Sequence, residues 1–158
     1  MSVPSTVTIR SATAADDILL ASHFYQMWRD LDVPAEAIVP NWQDAVGQYL
    51  EEARRSLNYA AFVAEVNDQA VGSIGCQRFT GYPNILQAAY RQDGYLWGVY
   101  VEPAFRGQGI ATQLTARAMV YLRSIGCTAA VLNASPAGRF VYSRLGFVDS
   151  NVMRRSLP

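Results

Sequence analysis

The stretch that decides the fold is Tyr95-Leu-Trp-Gly-Val-Tyr-Val101, followed by Glu102-Pro-Ala-Phe105 and Arg106-Gly-Gln-Gly-Ile-Ala111. Aromatic and β-branched residues from Tyr95 to Val101 favour a strand. Pro103 lacks a backbone donor and Gly107 frees the backbone, so the strand ends in a turn. From Ile110 the apolar positions Leu114, Ala118, Tyr121, Leu122 and Ile125 recur at helical spacing, and Gly126 suits a C-terminal cap.

A strand that passes through a glycine-bearing turn into a helix has a physical use. The first N–H groups of a helix have no partner within it, and the helix dipole places partial positive charge there. Gly107 and Gly109 leave those donors uncovered, and Arg106 adds a positive charge at the rim. The arrangement suits a phosphate or diphosphate held by backbone amides. No Gly-Lys-Ser/Thr follows, and the chain contains no lysine, so this is not a P-loop. A dinucleotide fingerprint would need glycine at Thr112 and an acidic residue within Thr128 to Asn133, and neither is present.

The segment resembles the acyl-CoA loop of the GNAT superfamily of N-acyltransferases, Gln/Arg-x-x-Gly-x-Gly/Ala, with Arg106, Gly109 and Ala111 in register. The lead-in Val99-Tyr-Val-Glu-Pro103 is similar to that family's fourth strand. Further on, Tyr142-Ser-Arg-Leu-Gly-Phe147 looks like its Tyr-x-x-x-Gly-Phe segment, at the separation the superfamily uses. The resemblance implies an α/β (α+β) fold spanning 1–158 as a single domain. It also implies a mixed sheet of six to seven strands with flanking helices, its fourth and fifth strands splayed into a V-shaped slot for acetyl-CoA. The cofactor would lie on Val99, Tyr100, Val101, Arg106, Gly107, Gln108, Gly109, Ile110, Ala111 and Thr112, with Asn133 on the pantetheine amide or a water and Arg139 toward a phosphate. Relatives often carry Asn where this chain has Gly98, which can instead hold the bulge that opens the slot.

Tyr142 matches the residue that relatives use as general acid on the CoA sulfur; its alternative is a plain core aromatic. A phenol, with a reference pKa near 10, is protonated at neutral pH and can donate. Glu102 closes the central strand where an amine would arrive, so it is a candidate base, with His23, Glu65 and bulk water as rivals. His23, the single histidine, reads more readily as a polar or half-buried helix position than as a catalytic base. Acceptor contacts would come from Tyr25, Trp28, Arg29 and Asp32 on the first helix, although Trp28 suits packing on the sheet. The aromatic-bearing segment Phe79–Gly94, with Tyr82, can serve acceptor recognition, a homodimer contact or a plain surface excursion.

The remaining elements follow from local signals. Val7–Arg10 reads as a first strand, and Thr13-Ala-Ala-Asp16 as a capping box opening a helix whose inward face runs Ile18, Ala21, Tyr25, Trp28. Asn41 is a candidate N-cap for a second helix with Trp42, Val46, Tyr49, Leu50, Ala53 and Leu57 on its apolar side. Tyr59–Val66 and Ala70–Phe79 pair around Asn67-Asp68-Gln69. Thr128–Asn133 reads as a short strand, Pro136 sits near the start of a helix capped by Gly146, and Phe147–Leu157 is expected as a final strand.

Composition sets the outer bounds. The chain has 158 residues, half of them hydrophobic, formal charge zero and no apolar run long enough to cross a bilayer. Basic residues are scattered, which argues against nucleic acid as the main partner. Cys76 and Cys127 lie far apart with no metal spacing, and no signal peptide is evident, so two reduced thiols in a cytoplasmic protein are expected. The function expected is transfer of an acetyl group from acetyl-CoA to a primary amine of a small molecule or peptide, directly in a ternary complex. The alternatives are a non-catalytic acyl-CoA-binding domain and a protein or peptide N-acetyltransferase.

Overall fold

The structure, a computed structural model, describes residues 6–158. The expectation about a signal peptide bears on residues 1–5 as well, which lie outside the described residues. The chain builds a five-stranded sheet in sequence order from β1 (Val7–Ser11), β2 (Ala60–Val66), β3 (Gln69–Arg78), β4 (Asp93–Val101) and β5 (Ala129–Val131). Neighbours are antiparallel except β4 and β5, which run parallel. Helices α1 (Asp17–Asp30) and α2 (Trp42–Ser56) cover one side of the sheet and α3 (Ile110–Ser124) the other, while α4 (Arg139–Arg144) packs beside α3.

Strand alternation divides the core between the two sides. On β2, Phe62, Ala64 and Val66 meet Ile110, Leu114, Ala118 and Leu122 of α3. The intervening Ala61 and Val63 meet Leu20 of α1 and Leu50 and Ala53 of α2. Each fully buried leucine such as Leu114 contributes about 1.5–3 kcal/mol by leaving water. The β2–β3 turn forms as expected, with Asn67 and Asp68 both left-handed, the geometry of a two-residue hairpin loop.

β4 breaks this alternation once. Ser73 pairs with Tyr100 but Gly75 pairs with Trp97, so β4 spends one residue more than β3 across the same interval. The surplus falls at Gly98, whose φ of +65° is open to glycine at little cost. Trp97 and Gly98 both face α1, and the shift of phase lets Tyr100 face α1 while Val101 stays in the α3 core.

Three expectations are corrected here. Phe147–Leu157 forms no strand: Val148, Val152, Met153 and Leu157 stand exposed, and among the described residues the sheet has five strands rather than about six to seven. The inward face of α1 runs through Leu20, Ala21 and His23, whereas Ile18 is 78 % exposed and Trp28 42 % exposed. Asn41 precedes α2 but makes no side-chain cap. Asp16 does accept from the Thr13 N–H at 2.8 Å, but the turn it closes is 3-10 (Ala14–Asp16), and the same carboxylate also binds Arg10.

Candidate active site

β5 pairs with β4 only from Asp93 to Tyr95. Beyond Tyr95 the two strands part, leaving the Leu96–Val101 edge of β4 without a strand on that side. The Glu102 N–H donates to the Val71 carbonyl at 2.8 Å, back toward β3. By alternation Val101 and Val99 turn their backbone groups toward the gap. The Val101 carbonyl is already used there: it accepts from Arg106 Nε at 2.8 Å.

At the mouth of the gap, Pro103–Phe105 makes one 3-10 turn and Gly107 and Gly109 take φ of +75° and +79°. Gly109 is the N-cap of α3, with no side chain capping the helix. The first bond within the helix runs from the Gln113 N–H to the Gly109 carbonyl, so the N–H groups of Ile110, Ala111 and Thr112 precede the ladder. A Cβ built on Gly107 or Gly109 would meet nothing within 4 Å. The space beside both glycines is open, and uncapped amides at a helix start are the kind of donor that suits a diphosphate.

Arg106 is not the free rim charge that the sequence suggests. Besides Val101, its guanidinium binds the Asp30 carboxylate at the end of α1 and lies 5.6 Å from the Tyr100 ring centroid. It ties α1 to the turn. Arg139 is likewise paired, with Asp149. Asn133 lies just past β5 and donates to the Tyr95 hydroxyl at 2.5 Å, across the point where the strands separate. Tyr142, on α4, is half-buried against Phe147 at 5.9 Å, and burial alone raises its pKa above the ordinary phenol value. It stays protonated at neutral pH.

On the α1–α2 side, side chains make the surface. Glu102 is half-exposed, accepts from the Tyr100 hydroxyl at 3.3 Å, and has its Oε1 3.7 Å from His23 Nε2. Two rivals for the role of base therefore stand side by side; the third, Glu65, lies in β2, two strands away from β4, and is bound to Arg10. Trp97, Phe24, Tyr49 and Tyr59 form an aromatic cluster around the bulge, and Gln77 links the Trp97 Nε1–H to the Tyr49 hydroxyl. Sequence reasoning missed Phe24, Trp97 and Gln77, whose only signal is their neighbourhood in space.

The expected acceptor residues are spread out. Tyr25 stacks on Trp42 at 4.6 Å, Trp28 meets the edge of Phe24, and Arg29 donates to the Val33 carbonyl. Tyr82 lies in the Phe79–Gln92 loop, where it packs on Phe79 and accepts from Arg91 at a separate cleft lined also by Pro83, Ile85 and Leu86.

A strand bulged at Gly98, a parting of β4 from β5 and a glycine-capped helix behind it are thus present together. The acetyltransferase (GNAT) family model matches residues 23–147. The chain belongs to the GNAT acetyltransferase family. This GNAT chain is 30 % identical over 126 residues, 79 % of its length and 73 % of the relative's, to aminoglycoside N(6')-acetyltransferase type 1 of Stenotrophomonas maltophilia. A GCN5-related N-acetyltransferase from Ralstonia eutropha JMP134 superposes with a TM-score of 0.81 at 26 % identity, over 96 % of this chain and 99 % of that one. A predicted acetyltransferase from Clostridium acetobutylicum, solved with acetyl-CoA, gives the same fold with a TM-score of 0.81 at 23 % identity over 96 % of both chains. As a GNAT enzyme the protein is an N-acetyltransferase with acetyl-CoA as its co-substrate.

Among the described residues no helix is long and apolar enough to cross a membrane.

Proposed function

We propose that this enzyme transfers acetyl from acetyl-CoA to a primary amine of a small-molecule acceptor, by direct attack in a ternary complex. The observation that carries the reading is the parting of β4 and β5 in front of the uncapped α3 amides, which lines up a diphosphate cradle with an open strand edge. The N–H groups of Ile110, Ala111 and Thr112, with Gly107, Gln108 and Gly109 around them, bind the diphosphate. The edge of Val99, Tyr100 and Val101 orients the pantetheine arm, and a backbone N–H on that edge polarises the thioester carbonyl. Asn133 and Arg139 reach the cofactor only by leaving Tyr95 and Asp149.

Glu102 takes the proton that makes the acceptor nitrogen neutral and, being half-exposed, passes it to solvent. The nitrogen lone pair then forms the bond to the acetyl carbon, and the carbon–sulfur bond breaks. Tyr142 gives its proton to the departing sulfur. The second proton that nitrogen loses on becoming an amide restores the phenol through solvent. Neither cysteine suits a covalent route: Cys76 is fully buried with its thiol pushed up to about 12, and burial raises Cys127 as well.

The aminoglycoside acetyltransferase relative favours a small polycationic amine as acceptor, and the carboxylates of Glu102 and Asp30 beside the aromatic cluster suit such a molecule. Tyr25, Trp28 and Arg29 rim this side and Tyr82 stands at the separate cleft of the Phe79–Gln92 loop; none of them bonds to the Glu102 carboxylate. Thiol release measured across aminoglycosides, polyamines and short peptides tests the reading. Turnover with small amines supports it. Turnover with peptides alone makes the protein a peptide acetyltransferase, and acetyl-CoA binding without turnover on any amine makes it a binding domain.

A further inference from the structure

His23 sits on α1 with 2 % of its surface exposed, enclosed by β3 and β4. Its Nδ1 is 2.8 Å from Ser73 Oγ, its Nε2 is 3.7 Å from Glu102 Oε1, and its ring centroid is 4.9 Å from that of Tyr100. Ser73 is as deeply buried as the histidine. A buried hydroxyl must place its proton on an acceptor, and His23 Nδ1 is the partner that Ser73 Oγ has among the described residues. That bond leaves Nδ1 unprotonated and puts the ring proton on Nε2, the nitrogen facing Glu102.

We infer that Ser73 and His23 form a buried arm that positions the Glu102 carboxylate for the incoming amine, Ser73 fixing the tautomer and the His23 Nε2–H holding Oε1. The inference rests on Glu102 being the group that takes the acceptor's proton. His23 itself transfers no proton; it keeps its Nε2–H throughout and acts through Glu102. The 3.7 Å separation is longer than a hydrogen bond, so the arm requires the half-exposed Glu102 side chain to turn toward Nε2 when the amine binds. The Tyr100 hydroxyl holds the other oxygen, Oε2, from the same strand. Two donors on two oxygens leave a carboxylate with one orientation, which proton transfer at a fixed geometry requires.

Burial keeps the His23 pKa below its ordinary value, and the Glu102 charge opposes that shift. The groups facing the ring are Ser73 from β3, Tyr100 from β4 and Glu102 just past its end. Arg106 lies beyond Tyr100 and is paired with Asp30 of α1. The imidazole is therefore neutral at pH 7.5, as a single-proton donor must be.

The chain has one histidine, so imidazole ¹⁵N signals of the full-length protein need no assignment. The expected spectrum at pH 7.5 shows an unprotonated Nδ1 and a protonated Nε2. Ser73→Ala, which keeps the fold with little change in volume, loses that tautomer preference and lowers kcat several-fold with KM for acetyl-CoA unchanged. Glu102→Gln moves the His23 titration midpoint further down. His23→Gln, whose amide can accept from Ser73 and donate to Glu102, retains more kcat than His23→Ala. A wild-type Nδ1–H tautomer, or Ser73→Ala with tautomer and kcat both unchanged, overturns the arm. Full kcat in Glu102→Gln, with the wild-type tautomer as expected, overturns instead the reading of Glu102 on which the arm rests.

Discussion

The two ends of β4 chemistry are made of different material. At the β4–α3 turn the groups on offer are backbone amides, with Gly107 and Gly109 leaving the helix start uncapped. On the α1–α2 side of the same strand the surface is made by side chains: His23, Phe24, Tyr49, Ser73, Gln77, Trp97 and Glu102, gathered from four elements. Amides at a helix start suit an anion such as a diphosphate whatever side chains surround them. Side chains can be exchanged singly without loss of the fold, so the acceptor side is where members of one family can differ.

The largest expected effect is on the backbone side. Gly109→Val forces a β-branched residue into φ +79° and puts its side chain into the open space before the α3 amides. Calorimetry should then show no measurable acetyl-CoA binding, while a normal Kd would mean that the amides are not the ligands. Next comes Tyr142→Phe, expected to lower kcat by about 10²–10⁴-fold, the usual scale for a positioned acid, with acetyl-CoA affinity unchanged. An unaltered kcat would make Tyr142 a packing residue.

The acceptor side has a pH signature that the backbone side lacks. His23 titrates below its ordinary value in the folded protein, so the unfolded chain binds a proton first as pH falls. Stability is full above about 6.5, the unfolded value, and declines below it toward the folded pKa. Asp16, held low first by its bond from Arg10, adds a second loss below its ordinary value of 3.8. Urea midpoints measured from pH 8 to pH 3 should show both falls, and His23→Gln should remove only the first.

The smallest effect belongs to the link between the two regions. The Asp30–Arg106 pair is half-exposed, so Asp30→Asn should cost no more than about 0–1 kcal/mol of stability. Acetyl-CoA affinity should change little in a titration, because Arg106 is engaged with protein groups; a large loss would restore it as a phosphate ligand.

The same division explains what could be read before the structure. Gly107, Gly109 and the helical pattern after Ile110 spell out the turn because backbone geometry is written locally, and Asn67-Asp68 spells out its hairpin for the same reason. The α1 face was less legible. Apolar spacing favours Ile18, Tyr25 and Trp28, yet the helix turns His23 inward because Ser73, fifty residues away, satisfies it. Arg106 reads as a free cation because Asp30, its partner, is remote in sequence. Phe147–Leu157 carries apolar residues fit for a strand, but no strand of this sheet pairs with it. Phe24, Trp97 and Gln77 have no pattern of their own, since a cluster formed by strand register and helix packing leaves no mark at a fixed spacing.

Crystallography of the full chain with acetyl-CoA tests the central claim most directly. The account predicts diphosphate oxygens within hydrogen-bond distance of the N–H groups between Gly107 and Thr112, with the pantetheine arm along Val99–Val101 in the gap between β4 and β5. Density for the cofactor elsewhere, with those amides facing only solvent, would contradict it.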